Sequence, residues 1–406
     1  MSFEKLKADY SHSALVAGLI AVIVSYAGPL AIVFQAGQSA NLSPELISSW
    51  VWAISIGSAL SGICLTWYLK IPVITAWSTP GAALLVTSLS LYSFPEAIGA
   101  YLISGVLIFI FGITGLFQTL MAKVPRSLSS AMLAGILFQF GVSVFTSMQV
   151  VPELVLPVIL AYLVCKRLFP RYSIMAALTV GISISFIMGM SNSQLLSISL
   201  AVPVFTIPEF SIAATIGLAI PLFIVTMTSQ NVPGVAVLKT AGYKPSINPI
   251  ISGTGLASIL LAPFGAHGIN LAAITAAICT GPESHEEPKK RYVAGLFCGA
   301  FYLSIGMFGA AIASVFSTLP EALIATVAGL ALFASLSNGL MAAMEVEAER
   351  EAALITFLVT VSGVSIWGIG SVFWGLIAGL IAYFVLVRKK TEPSQSEAAK
   401  TQQTNQ

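Results

Sequence analysis

From residue 12 to residue 387 the sequence is a succession of apolar runs, most of them close to the ~20 residues a helix needs to cross the hydrocarbon core of a bilayer. Twelve fall near 12–36, 46–69, 96–121, 127–148, 152–169, 172–191, 211–231, 246–263, 292–316, 320–340, 351–367 and 369–387. Two more, 71–91 and 264–281, open with Gly, Pro and small polar residues and leave room for only a short helix each. Such a chain cannot solvate the surface of a soluble globule. Charged residues make up 8% of it and its mean hydropathy is +0.94, where a soluble domain is roughly one-quarter charged. The pattern predicts an all-α polytopic membrane protein that has the lipid bilayer as its partner. A net charge of +2 offers no footprint for nucleic acid.

The basic residues test the number of crossings. With the N-terminus inside, the cytoplasmic connections hold Lys5, Lys7, Lys70, Lys123, Arg126, Lys166, Arg167, Arg171, Lys239, Lys244, Lys289, Lys290, Arg291 and Arg350. Arg388, Lys389, Lys390 and Lys400 complete the 18. The outer loops carry only acids: Glu45, Glu96, Glu153, Glu209 and Glu321. This positive-inside pattern holds only if both short segments cross. The expectation is fourteen transmembrane segments with both termini cytoplasmic. A seven-helix unit ends on the side opposite its start, so two such units are inverted repeats. Residues 1–11 read as a cytoplasmic leader and 389–406 as a polar, disordered tail.

The short segments are third in each half. Gly/Pro-interrupted segments at matching positions of two halves point to a transporter binding site. In "KIPVITAWSTPGAALL", Ile71 to Ala76 is proline-led and β-branched, which predicts a short extended strand. Ser78-Thr79-Pro80 then supplies a cap and an early proline, so a half-helix is predicted to start at Thr79. In the tenth segment "PFGAHG" is a poor helix and "INLAAITAAI" a good one, predicted to start at Ile269 or Asn270. Both N-termini would point at the bilayer centre, where free amides and the helix dipole favour an anion. On this reading Thr79, Pro80, Gly81 and Ala82 on one side, and Gly268, Ile269, Asn270 and Leu271 on the other, bind substrate. Ordinary packed helices kinked at Gly and Pro are the alternative.

Other polar residues fall at membrane depth. Ser229, Gln230 and Asn231 sit in the eighth segment a turn or more before Lys239, where amides and hydroxyls can bind a carboxylate or bridge two helices. Tyr26 precedes a Gly28-Pro29 kink and is a candidate to face the site. Trp77 and Phe264 are candidate aromatic walls, with core packing the better single reading of each. His267 is the one ionisable side chain at depth, and intramembrane ionisable groups are functional hypotheses by default. It is the candidate for proton coupling, with a neutral histidine bonded to a carbonyl as the alternative. Cys64, Cys165, Cys279 and Cys298 show no metal-ligand spacing, and "GPESHEEPKKRY" reads as a solvated loop. No metal or cofactor is expected, and no nucleophile–base pair suggests an enzyme.

The combination "GAHGINLAAITAAICTGPESH", "TSQNVPGVAVLKTAGY" and "ITAWSTPGAALL" closely resembles the benzoate:proton symporter family of bacterial inner membranes, over about residues 10–390. That family is similar to a branch of the nucleobase, ascorbate and sulphate permease superfamily. The resemblance implies a core domain of 12–121 and 211–318 (segments 1–4 and 8–11) and a gate domain of 122–210 and 319–388 (segments 5–7 and 12–14). It places substrate between the third and tenth segments and admits a homodimer. Nucleobase relatives tend to carry glutamates where this chain has Gln230 and Ile269, which would repel a carboxylate. The resemblance therefore implies import of benzoate or a similar aromatic carboxylate with a proton, the proton passing by His267 or travelling on the substrate. A nucleobase-type symporter and an anion channel are the alternatives on this scaffold.

Overall fold

The computed structural model describes residues 8–117, 119, 125–190 and 199–387. Its first helix, α1 (His12–Ala27), begins where Ser11 Oγ accepts from Ala14 N at 3.1 Å. It ends at Gly28, and Pro29 opens α2 (Pro29–Ser39). Proline has no N–H to return to the preceding turn, so the first apolar run breaks in its middle. The next helix, α3 (Pro44–Leu69), is capped by Ser43 and stopped by Lys70 in the left-handed region, φ 57°. After β1 (Thr75–Trp77) and α4 (Thr79–Ser88), α5 (Phe94–Thr114) starts with a capping box. There Ser93 Oγ accepts from Glu96 N, and Glu96 Oε2 accepts from Ser93 N at 2.9 Å.

The order continues with α6 (Arg126–Val150), α7 (Pro152–Leu168), α8 (Ser173–Ile187) and α9 (Ile212–Thr240). Within α9 lie two π-helical turns, Thr215–Ala219 and Met227–Asn231. Then come α10 (Ile247–Leu261), β2 (Ile269–Leu271), α11 (Ile274–Thr280), α12 (Tyr292–Met307) and α13 (Gly309–Ser317). The last are α14 (Glu321–Ala343), α15 (Arg350–Val361) and α16 (Ser371–Leu386).

The molecule is a mostly helical polytopic membrane protein. Among the described residues, seven helices are long and apolar enough to cross a membrane, or eight if the pair α12–α13, bent by 68°, is one span. Shorter apolar helices include α8 and α16. Two runs depart from the sequence reading. The eleventh run is two helices separated at Phe308, not one. In the tenth, Ile269–Leu271 is strand and the helix starts at Ile274, five residues after Ile269, because β1 captures this stretch as its partner. The residues 199–210, assigned by sequence to the end of the first gate part, run extended against other helices. Ala201 N donates to Met307 O, Thr206 N to Pro263 O and Glu209 N to Pro95 O.

Packing follows a repeating scheme. Helix α3 packs on α12 and α5 on α10; α7 packs on α8 and α15 on α16; α6 packs along α14. Small residues permit close approach in these pairs. A Cβ on Gly255 of α10 would lie 2.7 Å from Phe109 Cα of α5, so glycine sets that interhelical distance.

Candidate substrate site

The centre of the molecule is a two-stranded antiparallel pair in which Thr75 faces Leu271, Ala76 faces Asn270 and Trp77 faces Ile269. Bonds from Ser78 N to Gly268 O (3.0 Å) and Ala272 N to Ile74 O (2.9 Å) extend it at both ends. Extended backbone in an apolar interior must find partners for its remaining N–H and C=O groups, and neighbouring helices supply them. Thr66 Oγ1 of α3 both donates to Val73 O (3.0 Å) and accepts from Val73 N (3.1 Å). Thr75 Oγ1 donates to Ser58 O at 2.7 Å. From α10, Ser258 Oγ accepts from Ile269 N at 2.8 Å, and from α9, Asn231 Oδ1 accepts from Leu271 N at 3.0 Å.

Ser78 joins this sheet to α4. Its Oγ accepts from Gly81 N (3.0 Å) as the helix cap and from Thr226 Oγ1 (3.1 Å). His267 Nε2 lies 2.9 Å from Ser78 O, and Trp50 Nε1 donates to His267 Nδ1 at 3.0 Å. In the amide orientation that satisfies both atoms, Asn270 Oδ1 accepts from Ser78 N (2.9 Å) and Nδ2 donates to Leu271 O (2.8 Å). At the start of α4, Pro80 has no N–H, Gly81 N is taken by Ser78 Oγ and Ala82 N by Ser78 O. The Thr79 amide is the free donor left there.

Beside the sheet lies a cavity of about 770 Å³, within the range of roughly 300–1,000 Å³ typical of small-molecule sites. Trp77, Thr79 and Pro80 form one wall, Ser229 and Gln230 of the π-helical turn a second, and Ala272, Ala273 and Thr275 a third. Opposite them stand Leu133 of α6, Ile174 of α8, and Leu330, Ala331, Ser335 and Asn338 of α14. Arg126 and Lys166, both exposed, also line it, and among the described lining residues none is Asp or Glu.

Of the residues singled out in the sequence, the cavity brings together Trp77, Thr79, Pro80, Ser229 and Gln230. The others lie behind it. Tyr26 bonds through its hydroxyl to Ser55 Oγ and sets its ring edge-on to Trp77 at 5.3 Å. Gly81 and Ala82 are buried in the first turns of α4, and Gly268, Ile269, Asn270 and Leu271 are buried in and around β2. Asn231 is buried on Leu271 N, and His267 is 1% exposed between Trp50 and Ser78. Phe264 packs edge-on to Trp52 and Phe205. Sequence reasoning missed Thr275, Ser335 and Asn338 in the lining, and Trp50, Ser58, Thr66, Thr226 and Ser258 in the support. A polar side chain recurring within an apolar helix was the available signal for each but Trp50.

A sheet at the meeting point of broken segments, beside a polar-tipped cavity in an apolar helical body, defines a membrane transporter. The BenE family model, described as benzoate membrane transport protein, matches residues 8–385, and the chain belongs to that family. It is 46% identical over 385 residues to the benzoate membrane transport protein of Acinetobacter baylyi, covering 95% of this chain and 98% of that one. It is 44% identical over 372 residues to the inner membrane protein YdcO of Escherichia coli, covering 92% and 95%. Among solved structures, the transmembrane domain of the cyanobacterial bicarbonate transporter BicA superposes with a TM-score of 0.60 at 15% identity, covering 91% of this chain and 97% of that one. The inward-facing murine anion transporter Slc26a9 gives 0.59 at 14% identity, covering 93% and 68%. These last two share the fold. The protein is a membrane transporter, and its family is not one of enzymes.

Proposed function

We propose that this chain imports benzoate, or a closely similar aromatic carboxylate, together with a proton by alternating access across a bacterial inner membrane. The observation that carries the reading is a cavity whose described lining has hydroxyls, one free helix-start amide and the carboxamides of Gln230 and Asn338 but no carboxylate. The family and the name of the Acinetobacter relative point to the same substrate class. Thr79, Ser229 and Gln230 bind the carboxylate; Trp77 and the apolar faces of Pro80, Leu133 and Ile174 hold the ring. Gly81, Ala82, Asn231, Gly268, Ile269, Asn270 and Leu271 keep that surface in place, and Tyr26 backs Trp77.

The chain crosses fourteen times with both termini cytoplasmic, as two inverted repeats in the manner of the nucleobase, ascorbate and sulphate permeases. Packing supports this: exchanging each segment with its counterpart seven further on converts the α3–α12 pair into α10–α5, and α7–α8 into α15–α16. The cavity then opens to the cytoplasm beside Arg126 and Lys166. Segments 1–4 and 8–11 move as a core against a gate of 5–7 and 12–14, and a homodimer is compatible with this division. The test is uptake of labelled benzoate into proteoliposomes with and without an inward proton gradient. Accumulation above equilibrium only with the gradient is expected. Equilibration without accumulation would leave a channel, and indifference to benzoate would remove the substrate.

A further inference from the structure

The buried histidine of the tenth segment does not meet the cavity. His267 is 1% exposed, absent from the lining, and bonded on both ring nitrogens. Those two bonds fix its chemistry. An indole N–H only donates and a backbone carbonyl only accepts. Trp50 Nε1 therefore requires Nδ1 to be unprotonated, and Ser78 O requires Nε2 to carry the hydrogen. A second proton, on Nδ1, would set two donors against each other at 3.0 Å and strand the buried indole N–H without an acceptor. Among the described residues no acid is bonded to the ring to offset the charge. The titratable group that faces the ring is Tyr101, edge-on at 6.3 Å, and the described residues bonded to His267 are Trp50 and Ser78 alone.

What His267 does instead is visible in its acceptor. Ser78 is the cap of α4, and each of its polar atoms is engaged. Gly268 O and Asn270 Oδ1 take its N–H, His267 and Ala82 N its carbonyl, and Gly81 N and Thr226 Oγ1 its hydroxyl. Helix α9 and the tenth segment thus bond directly to one residue at the start of the helix that lines the cavity, and α3 reaches it through Trp50 and His267.

We infer that His267 is a positioning residue, held neutral in its Nε2–H tautomer, that ties Trp50 of α3 to the Ser78 cap and so fixes Thr79 at the cavity, and that it does not carry the transported proton. Only the uptake arm of the test rests on the proton-coupled reading above. The proton then travels on a group that does face the cavity, and the aromatic acid itself is such a carrier.

Two measurements decide this. In a His12→Gln/His285→Gln variant His267 is the one remaining histidine, and 15N NMR of its ring reads the tautomer directly. The neutral Nε2–H pattern should persist unchanged from about pH 5.5 to 8, the range where histidine ordinarily titrates. An imidazolium signal growing in across that range would overturn the inference whether or not benzoate is the substrate. In uptake assays, glutamine offers an acceptor for Trp50 and a donor for Ser78 but no titrating proton. His267→Gln should accumulate substrate with a KM within about threefold of wild type and the same pH profile, whereas His267→Ala should raise KM about tenfold or more. If His267→Gln still exchanges substrate but no longer accumulates it against the gradient, His267 carries the proton and the inference fails. Should the variants not fold, the NMR measurement on the native histidine still decides.

Discussion

Gly28 lies at the break between α1 and α2 and lines the cavity. Its φ of −118° and ψ of −57° are open to any L-residue, so an alanine there meets no backbone strain. The obstacle is the space beyond. A Cβ at position 28 would lie 2.6 Å from Ala331 Cβ on α14 and 3.1 Å from Ile174 Cγ2 on α8. Carbon atoms pack at about 3.5–4.0 Å, so α2 must retreat from α14 by roughly 1 Å. Overpacking of this order costs about 1–3 kcal/mol.

That penalty should fall on one conformation. Gly28 belongs to the proposed core, Ala331 and Ile174 to the proposed gate, and sliding one past the other separates them. A differential cost of 1–3 kcal/mol moves a two-state equilibrium by about 5- to 150-fold away from the arrangement described here. The assay is the rate at which a membrane-impermeant maleimide labels Asn338→Cys in inside-out vesicles, in a background with Cys64→Ser and Cys165→Ser. Asn338 lines the cavity, and those two cysteines are the ones not fully buried. Gly28→Ala should slow labelling about fivefold or more, and adding Ala331→Gly should restore it. Unchanged labelling in a folded Gly28→Ala protein, or no rescue by Ala331→Gly, would refute the reasoning.

Further outcomes follow from the same geometry. Gln230→Glu places a carboxylate in the cavity wall; at about 6 Å from the substrate's own charge and an effective dielectric near 20 the repulsion is about 3 kcal/mol. Calorimetric titration with benzoate should then show binding weakened about a hundredfold, and retained affinity would place the substrate carboxylate away from α9. Ser258→Ala removes the acceptor of the buried Ile269 N–H and should cost about 1–3 kcal/mol. A detergent thermal-shift series should register a lower melting temperature, and an unchanged one would mean the strand does not depend on α10. Replacing Arg126 and Lys166 together by Gln should flatten the ionic-strength dependence of benzoate exchange from the cytoplasmic side, because exposed charges act on an approaching anion through a screened field. An unaltered salt response would place the exit path elsewhere.

The apolar runs, the break at Gly28-Pro29 and the helix start at Thr79 were legible in the sequence because each rests on local chemistry: proline without a donor, serine as a cap, some twenty apolar residues in a row. The tenth segment was not. "INLAAITAAI" has the composition of a helix, and only pairing with Thr75–Trp77, almost two hundred residues earlier, turns Ile269–Leu271 into strand. The site divides along the same line. Thr79, Ser229 and Gln230 stand out as polar residues in apolar surroundings and lie in the cavity wall. His267 and Asn270 stand out equally, yet their partners are the indole of Trp50 and the backbone of Ser78 and Leu271. No spacing rule reveals which polar groups face the cavity and which satisfy the broken backbone behind it.

That division bears on how the protein can move. The bonds that hold the sheet and the start of α4 are directional and come from α3, α9, α10 and the tenth segment, all in the proposed core. Facing them across the cavity, Leu133, Ile174, Leu330 and Ala331 offer apolar surface, interrupted by the polar side chains of Ser335 and Asn338. Apolar contacts lose little when shifted laterally onto another apolar patch, because burial depends on area and not on angle. Buried hydrogen bonds lose most of their worth on a comparable displacement. A binding surface whose clamping hydrogen bonds all stay on one body, facing a mixed surface with apolar patches on the other, is built to travel with its substrate as a unit under the proposed core-and-gate division. His267 and Asn270, behind the cavity wall and bonded to its backbone, keep that proposed unit rigid.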